Sequence, residues 1–288
     1  MKKYLLIFNV VILSILCIAK LGEANSNIKI CYESWEPYYW QDQKNNFTGP
    51  VIDIVNNIYQ KQGFTIEYTE LPFARCLANL KAGIFDGFLS VSPTVTNVRM
   101  SKHPIAYWTL NAIVRSNDSF EHFLSMAQFS HYRVLLHQDY DYPTAITDYH
   151  HSWKSVIPFT YKAKGRFLGQ SRPYRMIARQ RADVLFEDFW TASSIIRTRK
   201  LDLKILQPSI AIEPNYLAFQ KDDLFLATLF DMGMDALIAN GKAQAIYKRY
   251  FGKDWQYWGS HKKNADLETV LKQNAMKKFK TQNANGFP

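Results

Sequence analysis

Cysteine is scarce in this chain, with three in 288 residues, and Cys17 falls inside an N-terminal apolar run. The two others and the seven histidines lack metal-ligand spacing. His150 and His151 are adjacent, and His131 and His137 have no partner at a ligand interval. No metal and no cofactor is expected. After residue 24 no apolar run approaches the ~20 residues that span a bilayer, so the mature chain is expected to be soluble. Basic residues exceed acidic ones, 35 against 25, for a formal charge of +10. They are spread along the chain, with neither the stripe nor the fold signature of a nucleic-acid binder. Nucleic acid is excluded as a partner, and no distinctive catalytic constellation is visible.

What is present begins with the N-terminus. Lys2 and Lys3 precede an apolar run from Tyr4 to Ala19, and small residues follow at Gly22 and Ala24. This order of charged, apolar and small residues reads as a secretory signal over 1–24, placing the mature protein in the periplasm. Its two cysteines, Cys31 and Cys76, then meet an oxidising compartment. One sits in an expected strand and the other in the helix after it, so they either pair or remain as buried thiols.

The rest alternates strand and helix. Strand patterns over 28–31, 64–70 and 85–90 are separated by helices over 51–62 and 72–80. A longer strand is expected over 107–115. The second half repeats the theme with strands at 133–136, 184–186 and 216–220. Its helices are expected near 143–150, 172–179, 191–198, 222–239 and 243–251. Such alternation predicts α/β architecture with helix-covered mixed sheets. Two lobes follow, 25–113 plus 214–255 and 114–213, joined by crossings near 112–115 and 212–218. A basic tail over 256–288 lies beyond them.

Two short runs carry complementary charge. Thr96-Asn97-Val98-Arg99 ends in a planar fork that suits a carboxylate, and Asp183 to Asp188 ends in an acceptor that suits an ammonium. Facing each other across a cleft, Arg99 and Asp188 would hold a zwitterion such as an amino acid.

The order of motifs resembles the family 3 extracellular solute-binding proteins, the amino-acid-binding components of ABC importers. The resemblance covers roughly 27–255. It rests on Trp35-Glu36-Pro37-Tyr38, Gly49-Pro50-Val51-Ile52-Asp53, Pro72-Phe73-Ala74-Arg75, Gly83-Ile84-Phe85-Asp86 and Thr96 through Arg99. Farther on come Ala182-Asp183-Val184 with Asp188, Ala218-Phe219-Gln220-Lys221-Asp222, and Gly241-Lys242-Ala243 leading to Tyr247 through Gly252.

The resemblance implies a two-lobe, type II periplasmic binding fold. It also implies a monomer that closes on a small polar ligand and delivers it to an inner-membrane ABC permease. It assigns the ligand carboxylate to Arg99 with Thr96 nearby, the ammonium to Asp188, and hydroxyl or backbone contacts to Ser90 and Ser92. Trp35 and Tyr38 would enclose the ligand side chain, with Tyr140 a further wall. One departure bears on the ligand. Where the family often has Gly-Thr-Thr at a helix N-terminus, this chain has Gln138-Asp139-Tyr140-Asp141-Tyr142. Added carboxylates there repel an anion, which points to a cationic ligand or to one that is not a plain α-amino acid. The alternatives are a secreted dehydratase of the same fold, with Glu187 or Asp188 as general acid or base, and a ligand-sensing module.

Overall fold

The computed structural model describes residues 27–42, 44–160 and 171–252. The expected export signal and basic tail lie outside them. The first described part runs β1 (Asn27–Tyr32), β2 (Trp40–Gln41), β3 (Phe47–Thr48), α1 (Pro50–Tyr59), β4 (Thr65–Glu70), α2 (Phe73–Lys81), β5 (Gly87–Val91) and β6 (Arg99–Met100). The middle runs β7 (Ala106–Arg115), β8 (Arg133–His137), α3 (Thr144–Thr147), β9 (Ser155–Phe159), α4 (Ser171–Ala178), β10 (Val184–Asp188), α5 (Phe189–Arg199) and β11 (Leu203–Ile205). The last part is β12 (Ala211–Phe219), α6 (Leu224–Ala239) and α7 (Lys242–Phe251).

The main sheet has the order β4-β1-β5-β12-β7-β10-β8-β9. Its two ends are parallel: β1 pairs with β4 and β5, and β8 pairs with β9 and β10. Between them β12 runs antiparallel to both β5 and β7, so these two long strands join the lobes. Parallel neighbours require crossover helices, and helices cover the sheet faces accordingly.

Local sequence explains the helices. Pro50 starts α1, where its missing N–H costs nothing. Val51, Ile52, Ile54, Val55 and Ile58 are then buried against β-strands and α6. The α1–α6 approach is close enough that a Cβ on Gly233 would meet Ile58 Cγ2 at 2.6 Å. The first lobe's core also holds Ile30, Tyr32, Leu217, Phe230 and Tyr247. The second lobe has one cluster on each face of its sheet, around Leu110, Val134 and Phe186 and around Ile113, Tyr174 and Leu185. A disulfide joins Cys31 in β1 to Cys76 in α2, beneath Leu80, Phe85 and Phe88.

Several expected elements differ. Along β7 the core changes between Tyr107 and Leu110, earlier than the expected crossing at 112–115, because 106–110 already pair with β12. The strand β12 begins at Ala211 rather than 216, since its first half is defined by that pairing and not by an apolar run of its own. The helix expected over 143–150 is the single turn α3. Strand β9 is apolar in sequence but forms the exposed edge of the sheet, with Pro158 where no ladder donor is needed. No single helix among the described residues is long and apolar enough to cross a membrane.

Candidate functional site

Parallel strands deliver their following loops to one edge of a sheet, and ligands bind beyond those carboxyl ends. Here β1 and β5 of one lobe meet β8 and β10 of the other in this way. A cleft of about 360 Å³ opens between them. Its first-lobe wall is Glu33, Ser34, Trp35 and Tyr39 after β1, Phe73 at the start of α2, and Phe88 through Thr94 apart from Val91. The second-lobe wall is Trp108, Tyr140 through Thr144, and Glu187, with Glu213 and Asn215 of β12 along the floor.

Aromatic rings are held by one another. The Trp35 ring lies 4.3 Å from Tyr38 and edge-on to Tyr39 at 6.0 Å. Across the cleft Tyr140 stacks on His137 at 3.9 Å and meets Trp108 at 5.8 Å. Ser90 takes a left-handed conformation, φ 72°, within β5 and donates its hydroxyl to Asn215 at 3.0 Å. That conformation is costly for a residue with a Cβ, and such strain gathers at functional sites. Hydrogen bonds between side chains and the facing lobe bridge the cleft: Thr94 donates to the Asp141 carboxylate, and Thr191 donates to the Glu36 carbonyl at 2.8 Å.

The charge of the cleft is one-sided. Glu33, Asp141, Glu187 and Glu213 line it, and no Lys, Arg or His does so among the described residues. Burial pushes the Glu33 carboxyl up to about 7, opposed by a bond from the Phe73 backbone and aided by Asp139, Glu70 and Glu187. Burial and the neighbouring Asp141 also raise Glu213. Burial lowers His137, beneath Tyr140, to about 4, so at neutral pH it adds no positive charge. Among the described residues no group of three or more His, Cys, Asp or Glu is arranged to hold a metal ion.

The structure brings Trp35, Ser90, Ser92 and Tyr140 together in this cleft and places the four other expected ligand residues outside its lining. Asp188 is fully buried and N-caps α5, accepting from the Trp190 and Thr191 backbones at 2.9 Å and from Thr109 at 3.0 Å. Its oxygens are committed to N–H groups of the protein, so it does not line the cleft. Arg99 lies in β6 against Phe219, outside the cleft lining, with Nε buried and without a hydrogen-bond partner. The left-handed turn at Asn97, φ 61°, separates it from the lining residues of the preceding loop. Thr96, in the same turn, is exposed. Tyr38 is a core residue, 1% exposed, whose hydroxyl donates to the Tyr107 carbonyl at 2.8 Å.

Other lining residues had weaker signals. Asp141 belongs to the acidic run singled out in the sequence, and Glu33 follows directly on β1. Nothing local marks Trp108 or Glu213, whose place follows from the β7–β12 register, where they are paired. Asp53, by contrast, is engaged away from the cleft by Arg249 and Tyr250.

Residues 28–253 match the family model described as bacterial extracellular solute-binding proteins, family 3. Solved structures share the type II periplasmic binding fold. A mutant of ArgBP from T. maritima is 18% identical, with 80% of this chain and 96% of that one covered and a TM-score of 0.67. An ancestral arginine-binding protein bound to arginine is 18% identical over 79% of this chain and 99% of that one, TM-score 0.68. A histidine kinase sensor domain with similarity to periplasmic binding proteins is 18% identical over 78% and 96%, TM-score 0.68. No curated protein matches the chain.

Proposed function

The chain belongs to the bacterial extracellular solute-binding proteins, family 3, and on that premise we propose that the solute it captures is an organic cation without a carboxylate to anchor. The observation that carries this reading is the cleft's lining of four carboxylates and no cationic side chain among the described residues. An α-carboxylate entering it would lose its water beside four carboxylates and find no cationic side chain to pair with, a cost of several kcal/mol. An ammonium or guanidinium would meet carboxylates, and the faces of Trp35, Trp108 and Tyr140 would add up to about 2 kcal/mol each where desolvated.

Capture works by closure. The ligand touches both lobes only when they meet, so it shifts an open–closed equilibrium toward the closed form. Residues 1–24 direct export, the periplasmic monomer binds its solute, and the closed form docks on an inner-membrane ABC permease. No chemical step takes place. A dehydratase substrate of the prephenate type is a dianion, and four carboxylates would repel it.

Pairs of compounds that differ only in a carboxylate test the reading: choline against glycine betaine, and lysine methyl ester against lysine. Calorimetry on the mature protein should show the member without the carboxylate binding at least tenfold tighter. Tighter binding of glycine betaine or lysine would refute it.

A further inference from the structure

The four carboxylates are not one cluster. Cys31 of β1 is level with Phe88 of β5, and Val91 of β5 is level with Tyr216 of β12. Glu33, two residues past Cys31, therefore sits beside Ser90, whose hydroxyl reaches Asn215. Glu213 lies two residues farther along β12, where it pairs with Trp108 of β7. By that register, two strand spacings across and three to four residues along separate Glu33 from Glu213, on the order of 15 Å between backbone positions.

Each of these carboxylates has an acidic neighbour, that of Glu33 from the other lobe and that of Glu213 from the loop after β8. Glu187, at the end of β10, interacts electrostatically with Glu33. Asp141, held by the Thr94 hydroxyl, interacts with Glu213. Aromatic residues line the same cleft, with Trp35 and Tyr39 on one wall and Trp108 and Tyr140 on the other. The arrangement is a pair of anionic poles in an aromatic trough.

Resting on the reading of the cleft as a cation site, we infer that its ligand is a linear dication, an α,ω-diamine or longer polyamine, with one ammonium at the Glu33–Glu187 pole and another at the Asp141–Glu213 pole. Like charges facing each other across the lobes oppose closure. A dication neutralises both pairs at once, whereas a monocation leaves one repulsion in place. Selectivity for two charges at a set distance then follows from closure itself, because the Glu33–Glu187 pole is completed only when the lobes meet. The apolar chain between the ammonium groups lies along the rings and replaces water there.

The test is calorimetry of the mature protein with straight-chain diamines of increasing length, each compared with the primary monoamine of equal carbon number. The expected result is a length optimum at which the diamine binds at least thirtyfold tighter. E213Q should bring the diamine at that optimum to within about threefold of its monoamine, an outcome predicted by loss of one pole. The variant's melting curve checks that it folds, and the wild-type comparison stands without it. Equal affinity for diamine and monoamine at every length would overturn the dication while leaving the cation reading intact. Binding of neither amine, with binding of a carboxylate-bearing solute, would overturn both.

Discussion

Thr94 donates a hydrogen bond through its hydroxyl to the Asp141 carboxylate across the cleft, and Ser92 Oγ stands 2.6 Å from the same Thr94 oxygen. The turn after β5 is thereby tied to the loop after β8. Hydrogen bonds to charged groups contribute about 1.5–3 kcal/mol when desolvated, less for this exposed pair, so the tie favours closure modestly.

Replacing Thr94 by Val keeps the shape and removes the donor. The ligand-free protein should shift toward the open form, and solution scattering should show a larger radius of gyration. Ligand affinity should fall severalfold in proportion to the lost closed population. An unchanged scattering profile would deny the bridge any part in closure.

Arg99→Ala should leave solute affinity within about threefold of wild type, since a side chain outside the lining contributes at most through packing. Calorimetry with whichever solute binds decides it. Loss of binding would return Arg99 to the site.

Asp188→Ala removes three acceptor bonds and leaves buried N–H groups at the head of α5. An N-cap loss costs about 1 kcal/mol and unsatisfied buried donors about 1–3 more. Urea unfolding should show a total loss near 2–4 kcal/mol, with Asp188→Asn, which keeps an acceptor, losing less.

The pH responses of folding and binding should oppose each other. Burial raises the Glu33 and Glu36 carboxyls to about 7 in the folded protein, from the ordinary carboxylate range near 4.5. The folded state then holds more protons than the unfolded one. Stability from these groups is full below about 4.5 and is lost as pH rises through about 7. Affinity for a permanent cation should instead rise over that upper range, as Glu33 becomes a carboxylate. Thermal melts and calorimetry between pH 5 and 8 measure both, and Glu33→Gln should flatten the binding profile.

The disulfide closes a separation of 45 residues. In the chain-entropy model a loop of that length stabilises the fold by about 4 kcal/mol. Reduction, or a Cys31→Ser and Cys76→Ser double variant, should lower the melting temperature by several degrees without changing the ligand's chemical class.

Local pattern determined much of this protein. The strand–helix alternation and the apolar faces of α1 and α6 are legible in residues that act within a few positions of one another. So is the order of family motifs, and it is the resemblance those motifs carry that points to Trp35, Ser90, Ser92 and Tyr140. The acidic run at Asp139 and Asp141 already hinted at a cationic ligand. Tertiary structure alone decided which charges face it. Successive residues of a strand point to opposite sides, so Glu187 lines the cleft while its neighbour Asp188 turns to the α5 backbone. Glu213 and Trp108 share the cleft only through the pairing of β7 with β12, residues about a hundred positions apart. Arg99 lies elsewhere because, past the left-handed residue Asn97, it falls in β6, which pairs with β12 at Phe219. Which carboxylate meets the ligand depends on strand register and turn geometry, and those are set by contacts distant in sequence.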